Sequence, residues 1–89
     1  MPYTIHFKNS ALKELRKLPK KVADRIARDI NNLSVNQRPP GSKKLKGINE
    51  LYRLRSGDYR VIYQVQDRVL IVLVIRIGDR KDVYRGIGK

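Results

Sequence analysis

Three strand-like runs, residues 50–56, 59–66 and 69–77, are separated only by Gly57-Asp58 and Asp67-Arg68. Links of two residues close tight hairpins, so the last half of the chain reads as an antiparallel meander. The third run, Val69-Leu-Ile-Val-Leu-Val-Ile75, is apolar at every position. That is the pattern of a strand covered on both faces and central in its sheet. With Gly57-Asp58 as the turn, Ser56 pairs with Tyr59, Arg55 with Arg60, Leu54 with Val61 and Arg53 with Ile62. Arg53, Arg55 and Arg60 then share one face. Tyr52, Leu54, Val61 and Tyr63 take the other, joined by Leu70, Val72 and Val74 if the second link also has two residues. A slip of one residue would scatter both sets, so burial itself argues for this register.

The apolar face needs a cover, and the first half of the chain supplies it. Tyr3, Ile5 and Phe7 alternate with Thr4, His6 and Lys8, the period of a short strand. Asn9 or Ser10 can cap a helix in which Leu12, Leu15 and Leu18 recur until Pro19 stops it. A second stripe, Val22, Ala23, Ile26, Ala27, Ile30 and Leu33, follows almost at once, giving an antiparallel helical hairpin. Residues 34–49 contain Pro39-Pro40-Gly41 and Lys43, Lys44 and Lys46, and read as a basic surface loop. The expected fold is α+β: one small domain over residues 1–89, with the N-terminal strand and helical hairpin packed on an antiparallel sheet of about four strands.

Composition narrows the function. The 21 Lys and Arg against 8 Asp and Glu leave +13 on an 89-residue chain. So much charge on so small a body attracts polyanions: RNA, DNA or the ribosome. The hydrophobic share of 40% is that of a folding chain. With no cysteine there are no disulfides or thiolate-bound metal, as in a reducing compartment, and the expected location is cytoplasmic. No signal-like N-terminus and no long apolar stretch is present, so neither export nor membrane insertion is expected.

Like charges directly opposite on a sheet repel, and an anion between them removes the repulsion. The guanidinium fork matches phosphate oxygens, so Arg53, Arg55 and Arg60 read as a phosphate cradle; the alternative is three exposed strand positions whose stems lie over the sheet. Arg80, just beyond the last strand, can join them. Tyr84 offers a ring for base stacking or, alternatively, pins the tail to the core. Lys43, Lys44, Lys46 and Lys81 are candidate RNA contacts. His6 stands alone without a carboxylate or nucleophile partner, and Asp79 and Asp82 lie among cations, so neither a metal nor another cofactor is expected.

Lys44-Leu-Lys-Gly47, Leu51-Tyr-Arg-Leu-Arg55, Gly57-Asp-Tyr-Arg-Val-Ile-Tyr63 and Ile77-Gly-Asp-Arg-Lys-Asp-Val-Tyr84, with Leu15-Arg-Lys-Leu-Pro19 in the helix pair, together resemble the RelE family of the RelE/ParE toxin superfamily. The likeness covers nearly the whole chain. It implies a toxin of a type II toxin–antitoxin pair: a metal-independent endoribonuclease, or mRNA interferase. It implies cleavage of messenger RNA in the ribosomal A site by attack of a ribose 2′-hydroxyl on the adjacent phosphate. The resemblance implies catalytic roles for Arg53, Arg55, Arg60, Arg80 and Tyr84, which look like the family's catalytic positions. A RelB-like antitoxin with an acidic or amphipathic segment, in a hetero-oligomeric complex, is the implied partner.

The family pattern often has lysines where Arg53 and Arg55 stand. Arginine effectively never sheds its proton, so the general base is left to Lys44, Lys46, Lys81 or Tyr84, or the arginines act by electrostatics alone. Two other readings use the same residues: a ParE-like toxin acting on DNA gyrase without cutting RNA, and a non-catalytic RNA-binding module.

Overall fold

The computed structural model describes residues 2–45 and 50–79. Seven elements follow in order: β1 (Thr4–Phe7), α1 (Asn9–Arg16), α2 (Lys20–Asn32), β2 (Ser42–Lys44), β3 (Leu51–Ser56), β4 (Tyr59–Gln66) and β5 (Ile71–Asp79). They form a five-stranded sheet in the order β1-β5-β4-β3-β2. The strands β2 to β5 pair antiparallel, and β1 runs parallel to β5 at the far edge. The sheet is therefore mixed, with one strand more than the sequence suggests. The extra strand is β2, three residues of the segment read as a loop. Gly41, at φ 92°, turns the chain into it after the two prolines.

The first hairpin forms in the expected register, from Ser56 opposite Tyr59 to Leu51 opposite Gln64. The second departs from expectation, because Gln66 pairs with Ile71 and four residues, 67–70, make the link. Leu70 consequently lies in the turn at φ 56° rather than on the apolar face, and Val69 is well exposed. β5 is an interior strand, but the middle position belongs to β4, and Ile71, Leu73 and Ile75 on its outer face are only half-buried.

A bulge keeps the core continuous. Tyr63 pairs with Val74 but Ile62 pairs with Arg76, so Ile75 is an extra residue in β5. The shift changes the phase of the strand, and Ile77 is buried alongside Val72 and Val74. Without it, alternation would direct Arg76 into the core.

Both helices cover the same face of the sheet. Ala11, Ile26, Ile30 and Leu33 pack with Tyr52, Leu54, Val61, Tyr63, Val65, Val72, Val74 and Ile77. Each such aliphatic side chain contributes about 1.5–3 kcal/mol when fully buried. α1 begins without the side-chain cap expected from Asn9 or Ser10. Its N-cap is Lys8, still extended at ψ 147°, whose N–H donates to Val74 at 2.9 Å. The end of the β1 ladder thus fixes where the helix starts. No helix among the described residues is long and apolar enough to cross a membrane.

Candidate nucleic-acid interface

Gly57 and Ser56 lock the tip of the first hairpin against α2. Gly57 adopts φ 60°, and a Cβ there would stand 2.5 Å from the Arg25 guanidinium. Glycine suits this position for its backbone, because side chains rarely adopt that positive φ; the Arg25 guanidinium is the end of a flexible side chain and can give way. The buried Ser56 hydroxyl donates to Asp29 Oδ2 at 2.8 Å, while Arg25 Nη2 donates to the Ser56 carbonyl oxygen at 3.4 Å. Sequence reading missed this junction; its signal is a lone serine at an alternation position otherwise held by Tyr52 and Leu54.

From that fixed tip the basic side chains fall into rows across the other face. Arg55 stands opposite Arg60, and Arg60 is opposite Gly78 on its other side. One row along, Lys43, Arg53, Ile62 and Arg76 succeed one another from β2 to β5. Directly opposed residues lie about 4.5–5.5 Å apart at Cβ, so neighbouring cations can reach one anion together. Lys43 joins the row, whereas Lys44, opposite Tyr52, belongs to the helix-covered face.

The members differ in exposure. Arg55 and Lys43 are exposed and Arg53 is half-buried. Arg60 is only 8% exposed, and Ile62 beside it is fully buried. Arg60 is therefore not an exposed strand position, and the cradle is open chiefly at Arg55 and Lys43. The Arg60 Nη1 donates to the Tyr59 carbonyl oxygen at 3.4 Å, a long bond for a buried cation. Among the described residues no carboxylate lies within ion-pair distance of Lys43, Arg53, Arg55 or Arg60, whereas Arg38 and Arg76 do pair with carboxylates. Arg76 is turned to Glu14 of α1 at 3.6 Å, and the same carboxylate accepts the Ile77 N–H at 2.9 Å.

Arg80, Lys81, Tyr84 and Lys46 lie outside the described residues. β5 ends at Asp79 opposite Tyr59, at the end of the sheet that carries Arg55 and Arg60. His6 is exposed, opposite Leu73 on β1, two strands from Arg60.

A second polar cluster, not anticipated from the sequence, closes the opposite end of the sheet. Arg38 Nε donates to the Tyr52 hydroxyl at 2.8 Å and Nη2 donates to Asp67 Oδ2 at 3.1 Å, with Glu50 Oε1 at 3.6 Å. Its guanidinium carbon lies 5.1 Å from the centre of the Tyr52 ring, which stacks on Tyr63. The Tyr3 hydroxyl donates to Asp67 Oδ1 at 2.6 Å. That bond, with the Arg38 bond, holds Asp67 below the usual carboxylate range; the Asp67 bond also raises Tyr3, against the opposing charge of Arg38. Burial pushes Tyr63 up to about 12. These residues brace the fold, and Arg38 is thereby occupied rather than available to a phosphate.

Comparison with known proteins identifies the fold and family. The family described as ParE toxin of type II toxin–antitoxin system matches residues 5–84. A RelE-like toxin protein of Escherichia coli is 39% identical, over 94% of this chain and 92% of that protein. The mRNA interferase toxin RelE of E. coli K12 is 36% identical over the same shares. The archaeal RelE–RelB complex from Pyrococcus horikoshii OT3 superposes with a TM-score of 0.81 at 30% identity, covering 92% of this chain and 99% of that one. The chain belongs to the RelE/ParE family of type II toxin–antitoxin toxins, on the RelE side of it.

Proposed function

We propose that this toxin is an mRNA interferase, a metal-independent endoribonuclease that holds a backbone phosphate of messenger RNA on the Arg53–Arg55–Arg60 face and acts in the ribosomal A site. The observation that carries the reading is the opposition of Arg55 and Arg60, flanked by Arg53 and Lys43, without carboxylate partners among the described residues. Cations that a fold leaves unneutralised in a row imply an anion from outside. The name of the E. coli relative, an mRNA interferase, supports RNA as that anion.

The ribose 2′-oxygen attacks phosphorus and forms a bond to it. The bond from phosphorus to the 5′-oxygen breaks, leaving a 2′,3′-cyclic phosphate and a 5′-hydroxyl. The proton from the 2′-hydroxyl leaves to a base, and the departing oxygen takes one up. Arg60 and Arg55 stabilise the charge growing on the phosphoryl oxygens, where fixed donors act most strongly. Arg80 follows Asp79 in the sequence, and Asp79 pairs with Tyr59 beside Arg60; in this reading Arg80 is a further member of the cradle. Tyr84 supplies stacking or the base; Lys46 and Lys81 are the other candidates. Lys44 lies on the opposite face and is the weakest of them.

The partner is a RelB-like antitoxin whose acidic or amphipathic segment covers the basic face, giving a hetero-oligomer in the cytoplasm. The RelE–RelB complex from P. horikoshii supports that pairing. Charge drives this docking more than apolar contact, since Ile62 is already buried. The family description also names ParE, which favours gyrase inhibition as the second reading. Mapping messenger 5′ ends on translating ribosomes, beside a gyrase supercoiling assay, separates the two. New ends within A-site codons support the interferase; inhibited supercoiling with intact messenger overturns it.

A further inference from the structure

The arginine face does not end at Ile62. By alternation along β4, Gln64 and Gln66 occupy the same face as Arg60, and Gln64 pairs with Leu51 one row beyond Arg53 and Ile62. Gln64 is four residues from Arg60, about 13 Å along the strand, a short reach for a nucleotide chain. At that position lies an open pocket of about 360 Å³ lined by Glu50, Gln64, Val65, Gln66, Asp67 and Arg68. Nothing in the phosphate cradle uses it.

The groups in the pocket are those that read base edges. Gln66 Nε2 donates to Gln64 Oε1 at 2.7 Å. This bond fixes the two amides against each other, leaving the Gln64 amide N–H groups to donate and the Gln66 carbonyl to accept. The Glu50 and Asp67 carboxylates add acceptors, and Arg38, at 3.6 and 3.1 Å, offsets their charge. The pocket is thus rich in acceptors. An exocyclic amine carries two N–H groups and can satisfy two of those acceptors while a neighbouring ring nitrogen accepts from Gln64. Adenine and cytosine present that edge; uracil presents one N–H between two carbonyls, which would face the carboxylates.

We propose that this pocket is a base-reading subsite that selects a nucleobase bearing an exocyclic amine over uracil, about 13 Å along the sheet from the phosphate held by the arginines. The inference rests on RNA lying along the arginine face as proposed above. Gln64 and Gln66 are the discriminating residues, and Glu50 tightens the preference.

The test uses fluorescein-labelled 2′-O-methyl hexanucleotides of adenine, cytosine or uracil, read by anisotropy with the full-length protein. The adenine and cytosine oligomers should bind at least about 5-fold more tightly than uracil, the lower end of what a good bidentate base contact is worth. Gln64→Leu with Gln66→Leu should bring the three affinities together while leaving uracil binding nearly unchanged. Glu50→Gln should narrow the ratio with less change to the pocket. Arg53→Ala should weaken all three oligomers alike. Binding with a base preference that survives in a folded double variant overturns the subsite alone. Failure of every oligomer to bind overturns both the subsite and the RNA reading on which it rests.

Discussion

Arg55 and Arg60 face each other directly across the β3–β4 hairpin, one exposed and the other 8% exposed. Folding brings these two like charges together, at a cost comparable to the roughly 0.2–1 kcal/mol of a favourable cross-strand pair. Arg55→Ala is therefore expected to leave the free protein as stable as before or slightly more stable, while weakening its hold on RNA. Thermal melting beside oligonucleotide anisotropy checks both signs. Loss of stability together with unchanged binding would show the pair to be structural.

The two lysines of β2 should separate. Lys43 stands in the row with Arg53, whereas Lys44 belongs to the opposite face. Each phosphate contact on a single strand contributes a slope of about −0.7 in log affinity against log salt. Lys43→Ala should flatten the salt dependence by about that much, and Lys44→Ala should leave it nearly unchanged. Equal effects would mean that the RNA does not follow the sheet face.

Ser56 ties the hairpin tip to Asp29 of α2 through a 2.8 Å bond. Ser56→Ala leaves the carboxylate without this donor and should cost about 1–3 kcal/mol. If the tip positions Arg55 and Arg60, RNA affinity should fall as well, at temperatures where the variant is fully folded. Gly57→Ala should also destabilise, since its backbone sits at a positive φ that side chains rarely adopt. A melt of Ser56→Ala indistinguishable from the parent would show that the junction does not hold the tip.

Tyr63 sets a limit on alkaline stability. Its pKa is raised in the folded state from 10.0 to about 12 by burial, so the protonated form favours folding. The contribution is fully present below pH 10 and is lost as pH rises towards 12, where the unfolded chain gains by ionising. About two units correspond to roughly 2–3 kcal/mol. Denaturant titrations of Tyr63→Phe should start somewhat lower at pH 8, through loss of the bond to the Gln37 carbonyl oxygen, yet fall less steeply above pH 10. Parallel curves for parent and variant would contradict burial as the cause. Asp67 acts with opposite sign: its lowered pKa contributes stability above the ordinary carboxylate range, lost as pH falls through that range.

The first hairpin is legible in the sequence because a two-residue turn and strict alternation permit one register for Tyr52, Leu54, Val61 and Tyr63. The second hairpin is not. An unbroken apolar run carries no phase, so nothing in Val69 to Ile75 shows that the strand starts two residues later or that Ile75 is the bulge. β2 is hidden for another reason: three polar residues after two prolines become a strand only through pairing with β3. Of the candidate site, shared facing was readable for Arg53, Arg55 and Arg60. Burial of Arg60 was not, because it depends on what neighbouring strands place beside it. The Arg38 cluster joins residues from four distant segments, a relation that spacing along the chain does not encode.

The central claim is that Arg60 stabilises the transition state for cleavage of the RNA phosphodiester. Because Arg60 is nearly buried, two variants are needed: Arg60→Ala, which removes the charge, and Arg60→Lys, which keeps a long charged stem but loses the guanidinium fork. The direct measurement is the rate at which messenger on programmed ribosomes is cut at saturating toxin, with circular dichroism confirming the fold of each variant. Loss of a donor to the developing charge typically costs about 2.7–4 kcal/mol, so Arg60→Ala should be 10²–10³-fold slower and Arg60→Lys intermediate. Parental cleavage rates in either folded variant would contradict the assignment.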